Sequence, residues 1–253
     1  MRPVLIGAGR GSRLEHRTDE LPKTLVPVMG RPMLEWILDA LGEAGFTRKD
    51  VVFVCGYRSD VLKSRYPEFT YVDNHAWERN NILESLLCAR EHLGGGFVSS
   101  YTDIVYQGRA VRDVVASPHD KVLVCDTDWR RRYVGRTRHP ESDAEKLRAE
   151  GDRVVEVSRT IASADASGEF IGVAKLSAGG ARELVDAYDR AKATETALGD
   201  RPFEKAYLIH LFQWMIDRGS TFHRVDTPGG YMEIDTLEDL ELAPSWHSWW
   251  EPK

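Results

Sequence analysis

The sequence predicts an α/β protein built on a doubly wound, mostly parallel sheet, with one embedded segment of different character. Two observations predict this class. Over residues 1–125, short strand-forming runs alternate with helical patterns, an order that parallel pairing with crossover helices produces. The 253 residues are 42% hydrophobic and 29% charged, which excludes disordered, collagen-like and coiled-coil chains.

The strands are expected at Pro3–Ile6, Val51–Cys55, Phe97–Tyr101 and Val122–Cys125, each a β-rich run bounded by turn residues. Between them, Leu34, Ile37, Leu38, Leu41 and Ala44 have the spacing of an amphipathic helix, opened by Pro32 and closed near Gly45. Ile82–Glu91 and Val111–Val115 read as helices too. From Trp129 to about Gly168 the pattern gives way to charged, weakly periodic sequence, read as an insertion or substrate lid. Regular structure returns with a strand at Phe170–Leu176, helices at Ala178–Lys192 and Phe203–Asp217, a strand at Thr221–Asp226 and a short helix after Asp235. With no repeat and no linker-like tract, one domain over 1–253 with its lid at about 129–168 is the simpler reading. Ligands of such sheets sit beyond the carboxyl ends of the strands.

Charge and composition narrow the function. Thirty-four Lys and Arg against forty Asp and Glu give a net charge of -6, so no basic field attracts a nucleic-acid backbone. No apolar run approaches the roughly 18 residues of a membrane span, and the first strand passes into glycines without a signal-peptide core, so a cytoplasmic protein is expected. Cys55, Cys88 and Cys125 are too few and too scattered for a disulfide framework or thiolate metal site, and buried free thiols are expected. The eight histidines show no ligand spacing and read as surface or packing residues.

Gly7-Ala8-Gly9-Arg10-Gly11-Ser12-Arg13 follows the first strand directly. Glycines there let backbone N–H groups close around an anionic phosphate. The loop is neither a Walker loop, lacking Gly-Lys-Ser/Thr, nor a dinucleotide fingerprint, because Ser12 takes the third glycine position. Its continuation, Pro22-Lys23-Thr24-Leu25 and Gly30-Arg31-Pro32, resembles the nucleotidyltransferase superfamily that makes activated sugars and polar head groups from a nucleoside triphosphate, over residues 5–41. The resemblance implies a Rossmann-like nucleotidyltransferase fold in which Gly7, Ala8, Gly9, Gly11 and Ser12 form the phosphate loop and Arg13 and Lys23 act on the triphosphate. In-line attack at the α-phosphorus needs such fixed cations.

A triphosphate arrives with magnesium, held by one or two carboxylates. Asp103, after the strand at Phe97–Tyr101, and Asp235, in Glu233-Ile234-Asp235-Thr236, match the family's metal ligands, with Glu233 as an assistant. A turn aspartate and a helix cap are their structural alternatives. Asp126 and Asp128 read as part of the charged loop. By the same resemblance Gly56-Tyr57, Tyr101, Asn81 and Ser85 line the nucleotide site, with Asn81 alternatively capping the helix that starts at Ile82. Val155-Glu156-Val157-Ser158-Arg159 stands where sugar-nucleotide enzymes carry Glu-Lys-Pro, and in Asn80-Asn81, Ser100–Ile104, Gly168–Gly172 and Glu233–Asp235 the chain most resembles cytidylyltransferases that activate phosphocholine, phosphonates and small phosphorylated metabolites.

The expected reaction is Mg2+-dependent transfer of CMP from CTP to a small phosphate or phosphonate, releasing pyrophosphate. A guanylyl-, uridylyl- or thymidylyltransferase acting on a sugar 1-phosphate is the alternative. A non-catalytic regulatory subunit is a third reading, opposed by the joint presence of Arg13, Lys23, Asp103 and Asp235. For the acceptor, Trp129, Arg130 and Tyr133, with Glu169 and Gly172, are the expected contacts. The guanidinium-rich stretch suits an acceptor that is anionic beyond its reacting phosphate, or zwitterionic. The alternative is a salt-bridged surface shared with Glu141, Asp143 and Glu145. Trp246-His247-Ser248-Trp249-Trp250 is expected to pack on the domain, with a homodimer contact as its alternative.

Overall fold

The computed structural model describes residues 1–247. In chain order the longer strands are β1 (Arg2–Gly7), β2 (Val52–Cys55), β3 (Thr70–Asp73), β4 (Phe97–Tyr101), β5 (Ile104–Tyr106), β6 (Lys121–Asp126), β7 (Lys146–Glu150), β8 (Arg153–Ser158), β9 (Gly168–Leu176), β10 (Phe222–Thr227) and β11 (Tyr231–Glu233). The helices are α1 (Met33–Glu43), α2 (Ser59–Arg65), α3 (Ile82–Cys88), α4 (Gly108–Ala116), α5 (Ala178–Thr194), α6 (Leu208–Ile216) and α7 (Leu237–His247). Nine strands form one sheet in the order β3-β2-β1-β4-β9-β6-β10-β8-β7, and β5 pairs with β11 in a separate ribbon.

The sheet is covered on both faces, and strand alternation explains how. Val4, Ile6, Val52 and Val54 enter a core shared with α3, α5 and α6, whereas Leu5, Phe53, Val122 and Val124 enter the opposite core with α1 and α4. Such strands are apolar throughout because neither face meets water. Along α1, Leu34, Ile37, Leu38 and Leu41 supply the buried stripe, and the chain leaves the helix through Gly45 at φ 88°. Each such side chain, fully buried, contributes about 1.5–3 kcal/mol.

The sheet and the 129–168 segment depart from the sequence reading. Parallel pairing joins β3, β2, β1 and β4, and also β6 and β10, but β9 lies between β4 and β6 and runs against both. β9 also runs against β7, whose Leu147 and Lys146 pair with Gly168 and Glu169 at its start. Residues 129–168, read as an embedded insertion or substrate lid of weak periodicity, contain the β7–β8 hairpin, which turns at Gly151 and joins the main sheet through β9 and β10. Leu147, Val154 and Val157 face the core, while Arg148 and Glu156 pair outside at 3.0 Å. The alternation is present but short, and charged residues mask it.

The expected helix at Phe203–Asp217 is also interrupted. A 3-10 turn at Phe203–Lys205 ends in extended Ala206, and α6 begins after Tyr207. Cys55 and Cys125 are buried, but Cys88 is exposed at the end of α3. Trp246 packs with Leu14, Met33, Val105, Met232 and Ile234 beneath the β5–β11 ribbon, and Trp249 and Trp250 lie outside the described residues. No helix among the described residues is long and apolar enough to cross a membrane.

Candidate active site

The glycine loop turns at the carboxyl end of β1. Gly11 has φ 70°, and a Cβ there would lie 2.4 Å from Lys23 Cδ, so the glycine lets the Lys23 stem lie across the loop. Pro22 then feeds the 3-10 turn Lys23–Leu25, whose Thr24 and Leu25 are buried and anchor the lysine. Lys23 Nζ donates to Asp103 Oδ2 at 2.9 Å and to Asp235 Oδ1. Arg13 Nη2 donates to the other oxygen, Asp235 Oδ2, at 2.6 Å.

Long-range backbone contacts bring these carboxylates together. Asp103 follows β4 and Asp235 follows β11, and Ile234 N–H donates to the Asp103 carbonyl at 2.8 Å. Asp239, fully buried on α7, accepts from the N–H groups of Asp235 and Thr236 at 2.8 and 2.7 Å. Its other oxygen accepts from Arg136 Nε at 2.7 Å, and Arg136 Nη2 donates to the Glu233 carbonyl at 3.1 Å. Arg136 therefore locks the segment Glu233–Thr236 from behind. The ring nitrogens of His139 lie 3.4 Å from Asp235 Oδ2 and from Glu233 Oε2.

The electrostatics are those of a buried, charge-dense junction. Burial alone would lower the Lys23 pKa and raise that of Asp235, but their mutual attraction, with Asp103 and Arg13 adding to it, reverses both shifts. Lys23 is held protonated and Asp235 ionised. Glu233 is pushed well above the usual carboxylate range by burial and by the charges of Asp235 and Asp103. Burial and the nearby Arg136 lower His139 to about 4, so its imidazole is neutral at pH 7. His139, Glu233 and Asp235 each offer a donor atom, all within 4.8 Å of one another.

Two cavities meet at this junction. The smaller, about 230 Å³, is lined by the glycine loop, Lys23, Trp77, Asn81 and Ser85. The larger, about 430 Å³, runs past Tyr101, Glu145, Arg159, Glu169, Arg201, Tyr207 and Glu233. Arg13, Asn81, Ile82, Asp103 and Asp235 line both.

Of the residues singled out from sequence, Gly7, Ala8, Gly9, Gly11, Arg13, Lys23, Asn81, Ser85, Asp103 and Asp235 border the smaller cavity. Asn81 also caps α3, accepting from Ile82 N–H at 2.9 Å, and buried Ser85 holds Asn74 Nδ2 at 2.9 Å. Tyr101, expected with the nucleotide, lies in the larger cavity with Glu169 and Glu233. Ser12 lines neither and opens the 3-10 segment Ser12–Thr18. Gly56 and Tyr57 stand behind the smaller cavity. A Cβ on Gly56 would lie 2.7 Å from the Ala8 carbonyl, and the Tyr57 hydroxyl donates to the Thr18 and Asp19 carbonyls, each at 2.8 Å. Gly172, at φ 83°, makes room for the Tyr101 ring, which a Cβ would meet at 2.4 Å.

The acceptor contacts expected of the arginine-rich stretch need correction. Trp129 and Tyr133 are buried in a small cluster with Ala144, and Arg130 covers the outer face of Trp129 at 5.5 Å. None of the three borders either cavity. Arg132 bridges Asp126 and Glu169 in a fully buried triad, with the Tyr133 hydroxyl donating to Glu169 at 2.8 Å. The tryptophan ring gains by leaving water, and Arg132, once buried, keeps two carboxylate partners that offset the cost of desolvating it. The sequence reading missed Trp77, Arg136, His139, Glu145, Arg159, Arg201, Tyr207 and Asp239. Of these, Arg136 was read with the arginine-rich stretch as an acceptor contact or a surface salt bridge, Glu145 as a partner in that bridge, Arg159 within the segment that stands in place of Glu-Lys-Pro, and His139 among the surface or packing histidines.

A family profile for the MobA-like NTP transferase domain matches residues 3–190. The chain is 25% identical over 252 residues to the CTP:phosphoglutamine cytidylyltransferase of Campylobacter jejuni, spanning 96% of this chain and 98% of that protein. It is 34% identical over 96 residues to the 2-aminoethylphosphonate cytidylyltransferase of Lancefieldella rimae, 37% of this chain and 38% of that one. Among solved structures, the CTP:phosphocholine cytidylyltransferase of Streptococcus pneumoniae shares the fold, with a TM-score of 0.68 at 20% identity over 95% of this chain and 97% of that chain. The chain belongs to the family of the MobA-like NTP transferase domain and is a nucleotidyltransferase.

Proposed function

We propose that the protein transfers CMP from CTP to the phosphate or phosphonate group of a small metabolite, releasing pyrophosphate. The observation that carries this reading is the junction: a cavity walled by a glycine loop and a cavity walled by charged and aromatic side chains share Arg13, Asp103 and Asp235. Two ligands seated side by side would meet there. CTP is favoured because the relative aligned along nearly the whole chain is named for CTP, and Asn81 offers both donor and acceptor to a pyrimidine edge.

In this reading the glycine loop holds the β- and γ-phosphates, and Lys23 and Arg13 leave their carboxylates to neutralise charge that builds at the α-phosphorus. The acceptor's own phosphoryl oxygen is the nucleophile, so no general base is required and the site works by positioning. The junction fits magnesium. Asp103 and Asp235 converge on one ammonium, so their oxygens lie where one cation can be shared, and Glu233, raised in pKa by burial and by their charges, adds a third carboxylate beside them. When bound, magnesium supplies further positive charge to the triphosphate.

Pyrophosphate release from each of the four ribonucleoside triphosphates, against a panel of phosphorylated and phosphonate acceptors with Mg2+, tests the proposal. CTP with a small non-sugar acceptor is the expected pair. Preference for UTP or GTP with a sugar 1-phosphate would replace it by the sugar-nucleotide alternative.

A further inference from the structure

At the part of the larger cavity not shared with the nucleotide side stands a pair of cations with uncommitted donors. Arg159 lies on the ring of Tyr207, its Cζ 4.0 Å from the centroid, and Arg201 approaches the same ring at 5.5 Å. Arg159 Nη2 donates to Glu145 Oε1 at 3.2 Å, and the other Glu145 oxygen accepts from the Tyr101 hydroxyl at 3.0 Å. Glu145 is 6% exposed. The Arg201 contact to Asp200, at 3.8 Å, is too long for a hydrogen bond.

A structural arginine in this same protein looks different. Arg132 gives each of its terminal nitrogens to a separate buried carboxylate. Arg159, its side chain 29% exposed beside the cavity, makes one long contact through a single terminal nitrogen, although bidentate pairing is the stronger arrangement. Its pairing with Glu145 also has a shape: one fixed positive group next to one fixed negative group is the complement of a carboxylate and an ammonium carried close together.

We infer that Arg159, Arg201 and Glu145 form the acceptor specificity site and select a head group of α-amino-acid type, its carboxylate on the two guanidinium groups and its ammonium on Glu145. The inference rests on the cytidylyl-transfer reading above and goes beyond it by naming the acceptor class and the residues that read it. A quaternary ammonium with no carboxylate would leave both guanidinium groups without an anion. Tyr207 offers it little, because Arg159 already covers that ring.

The test is pyrophosphate release from CTP with four acceptors: phosphoglutamine and phosphoserine, which carry the zwitterion, and phosphocholine and 2-aminoethylphosphonate, which carry only a cation. The better zwitterionic acceptor is expected to exceed both others at least tenfold in kcat/KM. Arg159→Ala and Arg201→Ala should each raise its KM tenfold or more, leave the CTP KM within about twofold, and shrink the discrimination. Arg159→Lys should restore part of it. Three results would overturn the inference alone: preference for phosphocholine or 2-aminoethylphosphonate, a parallel rise of the CTP and acceptor KM, or an equal loss with every acceptor, which would put Arg159 on the common phosphate. No release with any triphosphate and any acceptor would overturn the cytidylyl-transfer reading and this inference with it.

Discussion

The phosphate loop and the arginine-rich stretch after β6 both announce themselves in the sequence by charged and glycine residues in close succession, yet they are used in opposite ways. In the loop, Arg13 and Lys23 reach carboxylates that border open cavities, so their pairing can be exchanged for a ligand. In the stretch after β6, Arg132 and Arg136 turn inward onto Asp126, Glu169 and Asp239 with almost no exposure. The first set borders a site, and the second builds the wall behind one. A cation's partner and its access to a cavity separate the two uses; local density of charge does not.

The comparison can be broken most sharply at Lys23. Lys23→Ala should lower turnover about a thousandfold, since it removes a cation aimed at transition-state charge. Circular dichroism should still report a folded chain. Near-normal kcat would mean that the lysine belongs to the wall and not to the site.

Arg132→Ala should act in the other direction, on stability before chemistry. It leaves Asp126 and Glu169 buried without their shared cation, at a cost of about 3 kcal/mol or more, read as a lower denaturant midpoint. An unchanged midpoint with a raised acceptor KM would show that Arg132 reaches the ligand after all.

At the junction between the two regions, Asp103→Asn and Asp235→Asn should raise the Mg2+ concentration needed for half-maximal activity about tenfold, because an amide keeps an oxygen but loses the charge. Asp235→Asn should be the more severe, as both residues receive Lys23 but Asp235 receives Arg13 too. A variant with wild-type activity at low magnesium would remove its residue from the metal site.

Arg130→Ala should have the smallest effect, within about 0.5 kcal/mol on stability and within about twofold on either KM, because the side chain borders neither cavity. A clear rise in acceptor KM would return this residue to the substrate.

Legibility followed the range of the contacts. Residues Leu5–Leu41 could be read because strand, glycine loop, Lys23 and helix α1 follow one another at fixed spacing, each with a local signature. Most elements were legible for the same reason, including β4 and β9. The β7–β8 hairpin was not, because Leu147, Val154 and Val157 alternate with charged residues over runs too short to set a period. Arg136 and Asp239 are 103 positions apart, and neither has a local pattern that points to the other. Tyr207 looked like part of a continuous helix, since only the extended Ala206 turns it toward the cavity. The same holds for His139, whose neutrality comes from burial that one chain segment cannot reveal.

The central claim is that a nucleotide and an acceptor occupy adjoining cavities and react across Arg13, Asp103 and Asp235. Phosphorus NMR of CTP with phosphoglutamine, Mg2+ and the enzyme tests it directly. The account predicts that the acceptor phosphorus and the CTP α-phosphorus become coupled in one phosphoanhydride-linked product as pyrophosphate appears in equal amount. Pyrophosphate accompanied by free CMP, with the acceptor signal unchanged, would contradict it.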